Sequence, residues 1–167
     1  MEITIRNEIE RDHQQVRDML CSAFPTKAES KLVDALRENG KAIISLVAVN
    51  GEDVLGHILF SPVSTTPPNH AKGIGLAPVA VKSVFQSQGI GSQLIREGLR
   101  LCQELKYEYV VVLGDPEYYH RFGFRKASKF GLEIEYGVDN EFMVIKFSDS
   151  EVRGLVKYAP EFIVVSV

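Results

Sequence analysis

The fold of this 167-residue chain is decided by the stretch Gln86-Ser87-Gln88-Gly89-Ile90-Gly91-Ser92. Its two glycines let the backbone turn tightly and bring amide N–H groups close to a ligand. Apolar residues then recur at helical spacing from Ile90 to Lys106, which predicts a long helix that begins at the turn. The first amides of a helix have no partner inside it, and the helix dipole is positive at that end. The stretch therefore predicts an anion site, and a pyrophosphate is its natural ligand.

Two well-known phosphate-binding motifs do not fit this turn. A P-loop needs four residues between its glycines and a lysine after the last one, and neither is present. A dinucleotide fingerprint needs a small residue where Leu94 stands and an acidic residue where Leu113-Gly114 ends the next strand. Two glycines alone are also compatible with a plain tight turn before a helix. The surrounding residues therefore have to decide what the turn binds.

The segments on either side of the turn predict a mixed α/β domain. Helical spacing predicts helices over residues 9–24, 29–39, 90–106 and 116–121. Strands are predicted over 2–6, 43–49, 54–60, 74–84, 109–113, 132–136, 142–147 and 162–167. A hairpin at Asn50-Gly51, an antiparallel pair of 132–136 with 142–147, and a polar loop over 64–75 connect them. We expect one domain over 1–167 with an α+β fold, a mostly antiparallel sheet of about seven strands and about four helices.

Composition and charge exclude several classes of function. The chain carries 19 basic and 22 acidic residues, a formal charge of −3, which argues against a basic nucleic-acid binder. Two cysteines cannot form a disulfide framework, so a reducing, cytoplasmic setting is expected. The first six residues lack the features of a signal peptide, and prolines interrupt the uncharged segment 54–71, so no membrane span is expected. Residues 82–132 nevertheless hold 8 basic and 5 acidic residues, which favours an anionic ligand there.

The cysteines and histidines do not predict a reactive or metal site. Cys21 and Cys102 both fall on apolar faces of predicted helices, so both are expected to be buried and unreactive. The four histidines share no metal-ligand spacing with one another or with the cysteines. No metal is therefore expected.

Three features of the sequence, in this order, resemble the GCN5-related N-acetyltransferase (GNAT) family. They are the strand Leu76–Val81, the pattern Gln86-x-x-Gly89-x-Gly91, and Tyr118-Tyr119-His120-Arg121-Phe122-Gly123-Phe124, which is similar to that family's Tyr-x-x-x-Gly-Phe signature. The wider segment 112–124 is similar to the bacterial YhbS-like subgroup in particular. The resemblance extends from Ile3 to about Phe147 and implies the family's fold, acetyl-CoA as co-substrate, and transfer of the acetyl group to a primary amine.

The resemblance also implies which residues bind acetyl-CoA. The molecule would lie in a cleft between the fourth and fifth strands, with its pantetheine arm on the backbone of Val79, Ala80 and Val81. Its pyrophosphate would rest on the amides of Gln88, Gly89, Ile90, Gly91 and Ser92, with Gln86 and Ser87 at the edge. Tyr119 would be the general acid that hydrogen-bonds or protonates the departing thiolate, and amides near Val79 or Val81 would hold the oxyanion.

The base that deprotonates the acceptor amine stays open. Many members of the family carry a glutamate on the fourth strand, whereas Leu76–Val81 contains no ionisable residue. Glu29, His57 and Asp115 are candidates, and a water chain or an amine of low pKa would also suffice. The acceptor is expected to be a small-molecule or protein amine, with no nucleic-acid or membrane partner.

Three further points stay open at this stage. The acyl donor could be longer than acetyl, and the protein could be a monomer or a homodimer. A non-catalytic acyl-CoA sensor is the alternative function, because it would keep the turn without needing Tyr119.

Overall fold

The computed structural model of the protein describes residues 1–165. The chain divides into two compact units, of which the first contains residues 1–60, 77–98 and 160 onwards, and the second contains 61–76 and 99–159. The expectation of one domain over 1–167 stays a prediction. In the described part, no helix is both long and apolar enough to cross a membrane.

The described residues form nine strands and five α-helices. The strands are β1 Thr4–Asn7, β2 Ile44–Asn50, β3 Asp53–Thr66, β4 Gly73–Val81, β5 Tyr109–Leu113, β6 Arg125–Lys126, β7 Leu132–Ile134, β8 Phe142–Lys146 and β9 Gly154–Tyr158. The helices are α1 His13–Ala23, α2 Ala28–Glu38, α3 Ile90–Glu104, α4 Pro116–Tyr119 and α5 Glu161–Val165. The expected mixed, mostly antiparallel α+β fold is confirmed.

In the first unit, β1, β2 and β3 form an antiparallel sheet. Thr4 pairs with Val49, and Ile44 pairs with Phe60. The predicted hairpin is confirmed, but its loop is one residue later than expected, because Asn50 pairs with Asp53. Gly51 takes φ +62° there, a conformation that favours glycine. β4 follows β3 in this sheet, and the amide of Lys82 donates to the Leu55 carbonyl at 2.8 Å.

α1 and α2 form a helical hairpin in the first unit. Each buries an apolar stripe at helical spacing, and these residues are Val16, Met19, Leu20, Leu32, Val33 and Leu36. Arg17 of α1 donates to both carboxylate oxygens of Asp34 in α2, at 3.1 and 3.0 Å. α2 ends as predicted, and Gly40 takes φ +70° just after it.

α3 lies against β3 through two glycines. Gly56 of β3 is covered by Leu94 and Ile90, whose side-chain atoms would lie 3.0 and 3.2 Å from an added Cβ. Gly98 of α3 is covered by Phe60, whose ring would lie 2.3 Å from an added Cβ. Each glycine therefore faces a bulky side chain of the other element, and the helix packs very close to the strand.

In the second unit, the start of β4 pairs in parallel with β5, from Gly73 opposite Tyr109 to Leu76 opposite Val112. β8 runs antiparallel to β5 and also pairs with β6. The end of β3 pairs antiparallel with β9, which pairs in parallel with β7. All of β5 except its last residue is buried, as its continuous apolar sequence predicts.

Two expectations for the second unit are wrong. Residues 132–136 and 142–147 do not pair with each other, because β7 pairs with β9 and β8 pairs with β5 and β6. The loop predicted over 64–75 is shorter, because β3 continues to Thr66 and β4 begins at Gly73. The polar residues Ser64, Thr65 and Thr66 are strand residues since β9 supplies backbone partners for them.

The predicted terminal strand over 162–167 is also wrong where the structure describes it. Glu161–Val165 is a helix, and the last two predicted residues, Ser166 and Val167, lie outside the described residues. The Glu161 carboxylate accepts hydrogen bonds from Asn39 Nδ2 at 2.7 Å and Lys41 Nζ at 2.9 Å. This anchor at the first helical turn outweighs the strand propensity of the β-branched residues that follow.

Candidate active site

The turn before α3 has the geometry that its glycines predict. Ser87 takes φ +64° and Gly89 takes φ +86°, so the backbone passes twice through the left-handed region. A Cβ added at Gly89 would meet nothing within 4 Å, so the space beside this residue is open. The helical ladder starts with the amide of Gln93, which donates to the Gly89 carbonyl at 3.0 Å. The start of an α-helix presents N–H groups to its surroundings, so this end of α3 can donate hydrogen bonds to an anion.

The turn is connected to the end of β4 by a side chain. Gln86 Nε2 donates to the Val81 carbonyl at 3.1 Å. Val79 and Val81 are half-buried, Ala80 is buried, and the register with β5 covers only Gly73–Leu76. The predicted pantetheine and pyrophosphate residues therefore lie in one continuous piece of the first unit, Val79–Ser92.

Tyr119 lies in the second unit, at the end of α4, and is 8% exposed. Its ring packs edge-on against Phe124, with ring centroids 5.8 Å apart, and lies over Gly114. Burial, followed by the neighbouring Tyr118, raises the pKa of Tyr119 to about 12. The phenol therefore stays protonated and keeps a hydrogen to donate at neutral pH.

Asp115 has a structural contact that accounts for it. It is exposed and is the N-cap residue of α4, where its Oδ1 accepts from the amide of Glu117 at 3.0 Å. The adjacent Pro116 occupies the first helical turn, as is common at helix starts. This candidate base therefore orients the helix that ends in Tyr119.

His57 is completely buried among polar residues of the first unit. We call Glu8, Arg37, Ser45 and His57 the Glu8 cluster. Ser45 donates to Glu8, so the bond of 2.8 Å between Ser45 Oγ and His57 Nε2 is donated by the histidine. Burial lowers the pKa of His57 although Glu8, 3.6 Å away, opposes this. A neutral imidazole then leaves Nδ1 as an acceptor, and no described residue donates to it.

Glu8 is the charged centre of this cluster. Its side chain is 3% exposed, and both of its oxygens are bonded, one to Arg37 and one to Ser45. Burial alone would raise the pKa of Glu8, but the interactions with His57, Ser45 and Arg37 lower it to about 2. Sequence reasoning missed the cluster, since its residues come from four separate segments and none of them forms a motif.

Glu29 differs from the other candidate bases. It lies in the first turn of α2, where the helix dipole favours a carboxylate. Its Oε2 is buried, and no described residue donates a hydrogen bond to it. The sequence identified Glu29 as a candidate base but gave no sign that one of its oxygens is unpaired.

Residues 4–127 of the chain match the family described as Acetyltransferase (GNAT) domain. The chain belongs to the GNAT acetyltransferase family. Among curated proteins, the Escherichia coli K12 protein named Uncharacterized N-acetyltransferase YhbS is 39% identical over 163 residues, which are 95% of this chain and 97% of that protein. The resemblance to the family and to its YhbS-like subgroup is therefore confirmed.

Solved structures agree with this assignment. The structure of YhbS from Escherichia coli in complex with CoA matches this GNAT chain with a TM-score of 0.91 and 37% identity, over 98% of this chain and 93% of that one. A GNAT family acetyltransferase from Brucella melitensis in complex with acetyl-CoA matches with a TM-score of 0.83 and 34% identity, over 96% and 98%. Both structures confirm the fold class.

The charged and sulfur-containing residues of this GNAT chain partly correct the sequence predictions. Cys102 is buried, and burial raises its pKa to about 12, but Cys21 is exposed because it lies one position beyond the buried Leu20 of α1. Within the segment 82–132, which has an excess of basic residues, Lys126 pairs with Asp139 at 2.9 Å, and Arg125 donates to the Phe124 carbonyl at 2.8 Å. These two basic side chains therefore have partners within the second unit. The described residues hold no group of three or more His, Cys, Asp or Glu that could bind a metal ion.

Proposed function

We propose that this chain transfers the acetyl group of acetyl-CoA to a primary amine by direct attack. The observation that carries the proposal is the turn before α3, whose backbone passes twice through the left-handed region, is open beside Gly89 and leads directly into the start of the helix. Family membership and the two relatives in complex with CoA and acetyl-CoA support the choice of donor.

The cofactor contacts follow the order of the chain. The pantetheine amides pair with the backbone of Val79, Ala80 and Val81, as an added strand would. The pyrophosphate rests on main-chain amides of the turn, those of Gln88, Gly89, Ile90, Gly91 and Ser92, with Gln86 and Ser87 at the edge. The developing oxyanion accepts its hydrogen bond from an amide near Val79 or Val81, at the end of the same strand, where a fixed main-chain N–H needs no reorganisation to hold it.

Tyr119 donates its phenolic hydrogen to the leaving sulfur. The neutral amine attacks the thioester carbonyl to form a tetrahedral adduct, the nitrogen of this adduct loses a proton to solvent, and the C–S bond breaks with its electron pair on sulfur, which gives the amide and the CoA thiolate. A thiol has a pKa of about 8.5, well below the value of about 12 that burial gives Tyr119. The phenol therefore stabilises the thiolate mainly as a hydrogen-bond donor and transfers little of the proton in the transition state.

Replacing Tyr119 by phenylalanine tests this role. We expect kcat to fall about 100-fold, near the lower end for general acids, with an unchanged Kd for acetyl-CoA. Tyr118→Phe is the matched control, because the same atom is removed from the neighbouring ring, and it should keep kcat within a factor of about three. Equal losses in the two variants would assign the effect to packing and remove Tyr119 as the acid.

The function itself is tested by ligand binding and turnover. Acetyl-CoA should raise the melting temperature, whereas NAD and ATP should not, because the turn matches neither of their motifs. Release of free CoA thiol across a panel of amines then separates an enzyme from a sensor. Binding without release for every amine would favour the non-catalytic acyl-CoA sensor.

A further inference from the structure

We propose that the ring of Tyr158 closes the acyl end of the cofactor site and restricts the donor to a short acyl group. This inference rests on the proposed acetyltransferase function and deepens it, because it names a residue that selects the donor. It starts from the position of Tyr158 in β9, where the side chain is buried within the second unit.

The direction of the cofactor along β4 follows from the order of the proposed contacts. The pyrophosphate rests on the turn after β4 and the pantetheine arm lies on Val79–Val81, so the acyl end points back along the strand toward Leu76. β4 pairs with β5 only from Gly73 to Leu76, and the last pair joins Leu76 to Val112. An arm that lies along β4 in the place of a strand therefore meets the end of this ladder with its acyl group.

Tyr158 lies across the end of that ladder. Its ring covers Gly75, because a Cβ added there would lie 2.9 Å from Tyr158 Cε2 and 3.2 Å from its Cζ. Its hydroxyl donates to the carbonyl of Val111, the residue opposite Gly75, at 3.5 Å. The neighbouring Leu76, Val111 and Val112 are buried as well, so the end of the ladder is a largely apolar wall.

The ring is also fixed in place. Backbone pairing with Val63 holds Tyr158 in β9, and Gly75 leaves room for the ring because it has no side chain. Burial, followed by the phenols of Tyr119 and Tyr136, raises the pKa of Tyr158. Tyr158 is therefore neutral and lies close enough to Tyr119, the proposed general acid, for the two phenols to interact.

A wall of this kind discriminates between donors by their length. Each methylene beyond acetyl would have to displace the ring from Gly75, and a closely packed side chain resists this displacement. One methylene in an apolar pocket changes kcat/KM about 10- to 200-fold. We therefore expect the wild type to prefer acetyl-CoA over propionyl-CoA by about this factor, and to use butyryl-CoA less well still.

The test measures kcat/KM for acetyl-CoA, propionyl-CoA and butyryl-CoA by release of CoA thiol, with the amine of the panel that gives the fastest release. Tyr158→Leu shortens the wall and should lower the preference for acetyl-CoA over propionyl-CoA about tenfold or more. Tyr158→Phe keeps the ring and removes the hydroxyl, so it should keep the wild-type preference.

Tyr109→Leu is the matched control for the loss of a buried ring. Tyr109 covers Gly73 as Tyr158 covers Gly75, with a ring atom 2.1 Å from an added Cβ, but it lies at the far end of the same ladder. This variant should lose comparable stability and keep the wild-type preference. If Tyr158→Leu does not fold, Tyr158→Met takes its place, because the flexible methionine side chain fills irregular gaps.

Each other outcome has a definite meaning. A wild type that uses butyryl-CoA as well as acetyl-CoA overturns the proposal without any variant, and so does a preference that Tyr158→Leu leaves unchanged. An equal change in Tyr109→Leu would assign the effect to loosening of the second unit, and a change in Tyr158→Phe would assign it to the hydroxyl; both overturn the role of the ring.

Absence of thiol release with any amine in the wild type would contradict the proposed function instead. Isothermal titration with acetyl-CoA and butyryl-CoA would then still test Tyr158. The wild type should bind butyryl-CoA more weakly than acetyl-CoA, and Tyr158→Leu should bind the two about equally. Equal affinities in the wild type would overturn the proposal.

Discussion

Glu8 and Glu29 lie in the same unit and both bury carboxylate oxygen, but the structure treats them in opposite ways. Glu8 has Arg37 on one oxygen and Ser45 on the other, with His57 behind them. Glu29 has an oxygen without any donor among the described residues. The difference teaches what a substitution removes: loss of Glu8 leaves its buried partners uncompensated, whereas Oε2 of Glu29 has no partner among the described residues to lose.

The largest effect should come from breaking the paired side of this comparison. Glu8→Ala leaves the mostly buried Arg37 guanidinium with Asp34, at 2.9 Å, as its remaining carboxylate partner, and we expect a loss near the lower end of about 3–5 kcal/mol in the free energy of unfolding. Urea denaturation at pH 7 measures it. Glu10→Ala, at an exposed neighbouring position, should stay within about 0.5 kcal/mol of the wild type.

The same substitution should also flatten the pH dependence of stability. The pKa of Glu8 is lowered to about 2 from 4.5, so its contribution is complete above about pH 4.5 and is lost as the pH falls toward 2. The full shift would correspond to about 3 kcal/mol, which solvent at the rim of the cluster reduces to about 2. Burial lowers the pKa of His57 too, so protonation of this residue adds a loss below its ordinary 6.5. If the free energy of unfolding of the wild type and of Glu8→Ala fell in parallel between pH 4.5 and 2, the pairing of Glu8 within its cluster would be contradicted.

A smaller effect should follow from filling the open turn. Gly89→Ala places a Cβ on a residue with φ +86°, and we expect a strain of about 1–2 kcal/mol in the folded protein. The Cβ also enters the empty space beside the turn, so we expect a roughly tenfold weaker affinity for acetyl-CoA. Gly40→Ala is the matched control, because Gly40 also has a left-handed φ, +70°, and nothing within 4 Å. It should lose the same stability and none of the affinity. Isothermal titration with acetyl-CoA measures the affinity of both variants. If the two affinities agreed, the turn would be rejected as the phosphate site.

The smallest effect concerns the unpaired carboxylate itself. Glu29→Gln keeps a polar atom at the buried position of Oε2 and loses the helix-dipole interaction of the carboxylate, a cost of about 0.3–1 kcal/mol. We therefore expect a free energy of unfolding at most about 1 kcal/mol below that of the wild type in urea denaturation. A clear loss of stability would mean that Glu29 has a partner in the folded chain and would remove the contrast with Glu8.

The sequence predicted those features of the fold whose causes are local. Helical spacing, the glycines after α2 and β2, and the turn before α3 each depend on residues close together in the chain, and all of them are confirmed. Strand pairing is not local. β9 was missed and β7 was given the wrong partner, because Leu132 lies opposite Gly154 only after the whole second unit has assembled.

The candidate site divides in the same way. The turn and Tyr119 were identified because each belongs to a motif with a fixed spacing. The Glu8 cluster combines positions 8, 37, 45 and 57, which no spacing relates, and it was missed. Whether Glu29 has a hydrogen-bond donor depends on where every neighbouring side chain points, and a sequence pattern does not contain that information.

The two glycines between α3 and β3 have a consequence for the precision of the turn. Gly56 of β3 faces Ile90 and Leu94 of α3, and Gly98 of α3 faces Phe60 of β3. Each glycine of one element thus lies against large side chains of the other. A helix advances 1.5 Å and rotates by about 100° per residue, so a slip of one residue would bring a side chain onto Phe60 and leave Gly56 uncovered. The position of the start of α3 along β3 is thus fixed by the packing of apolar side chains. The proposed anion site is therefore positioned in part by the contact of Gly98 with Phe60, which lies about two helical turns along α3 from the turn.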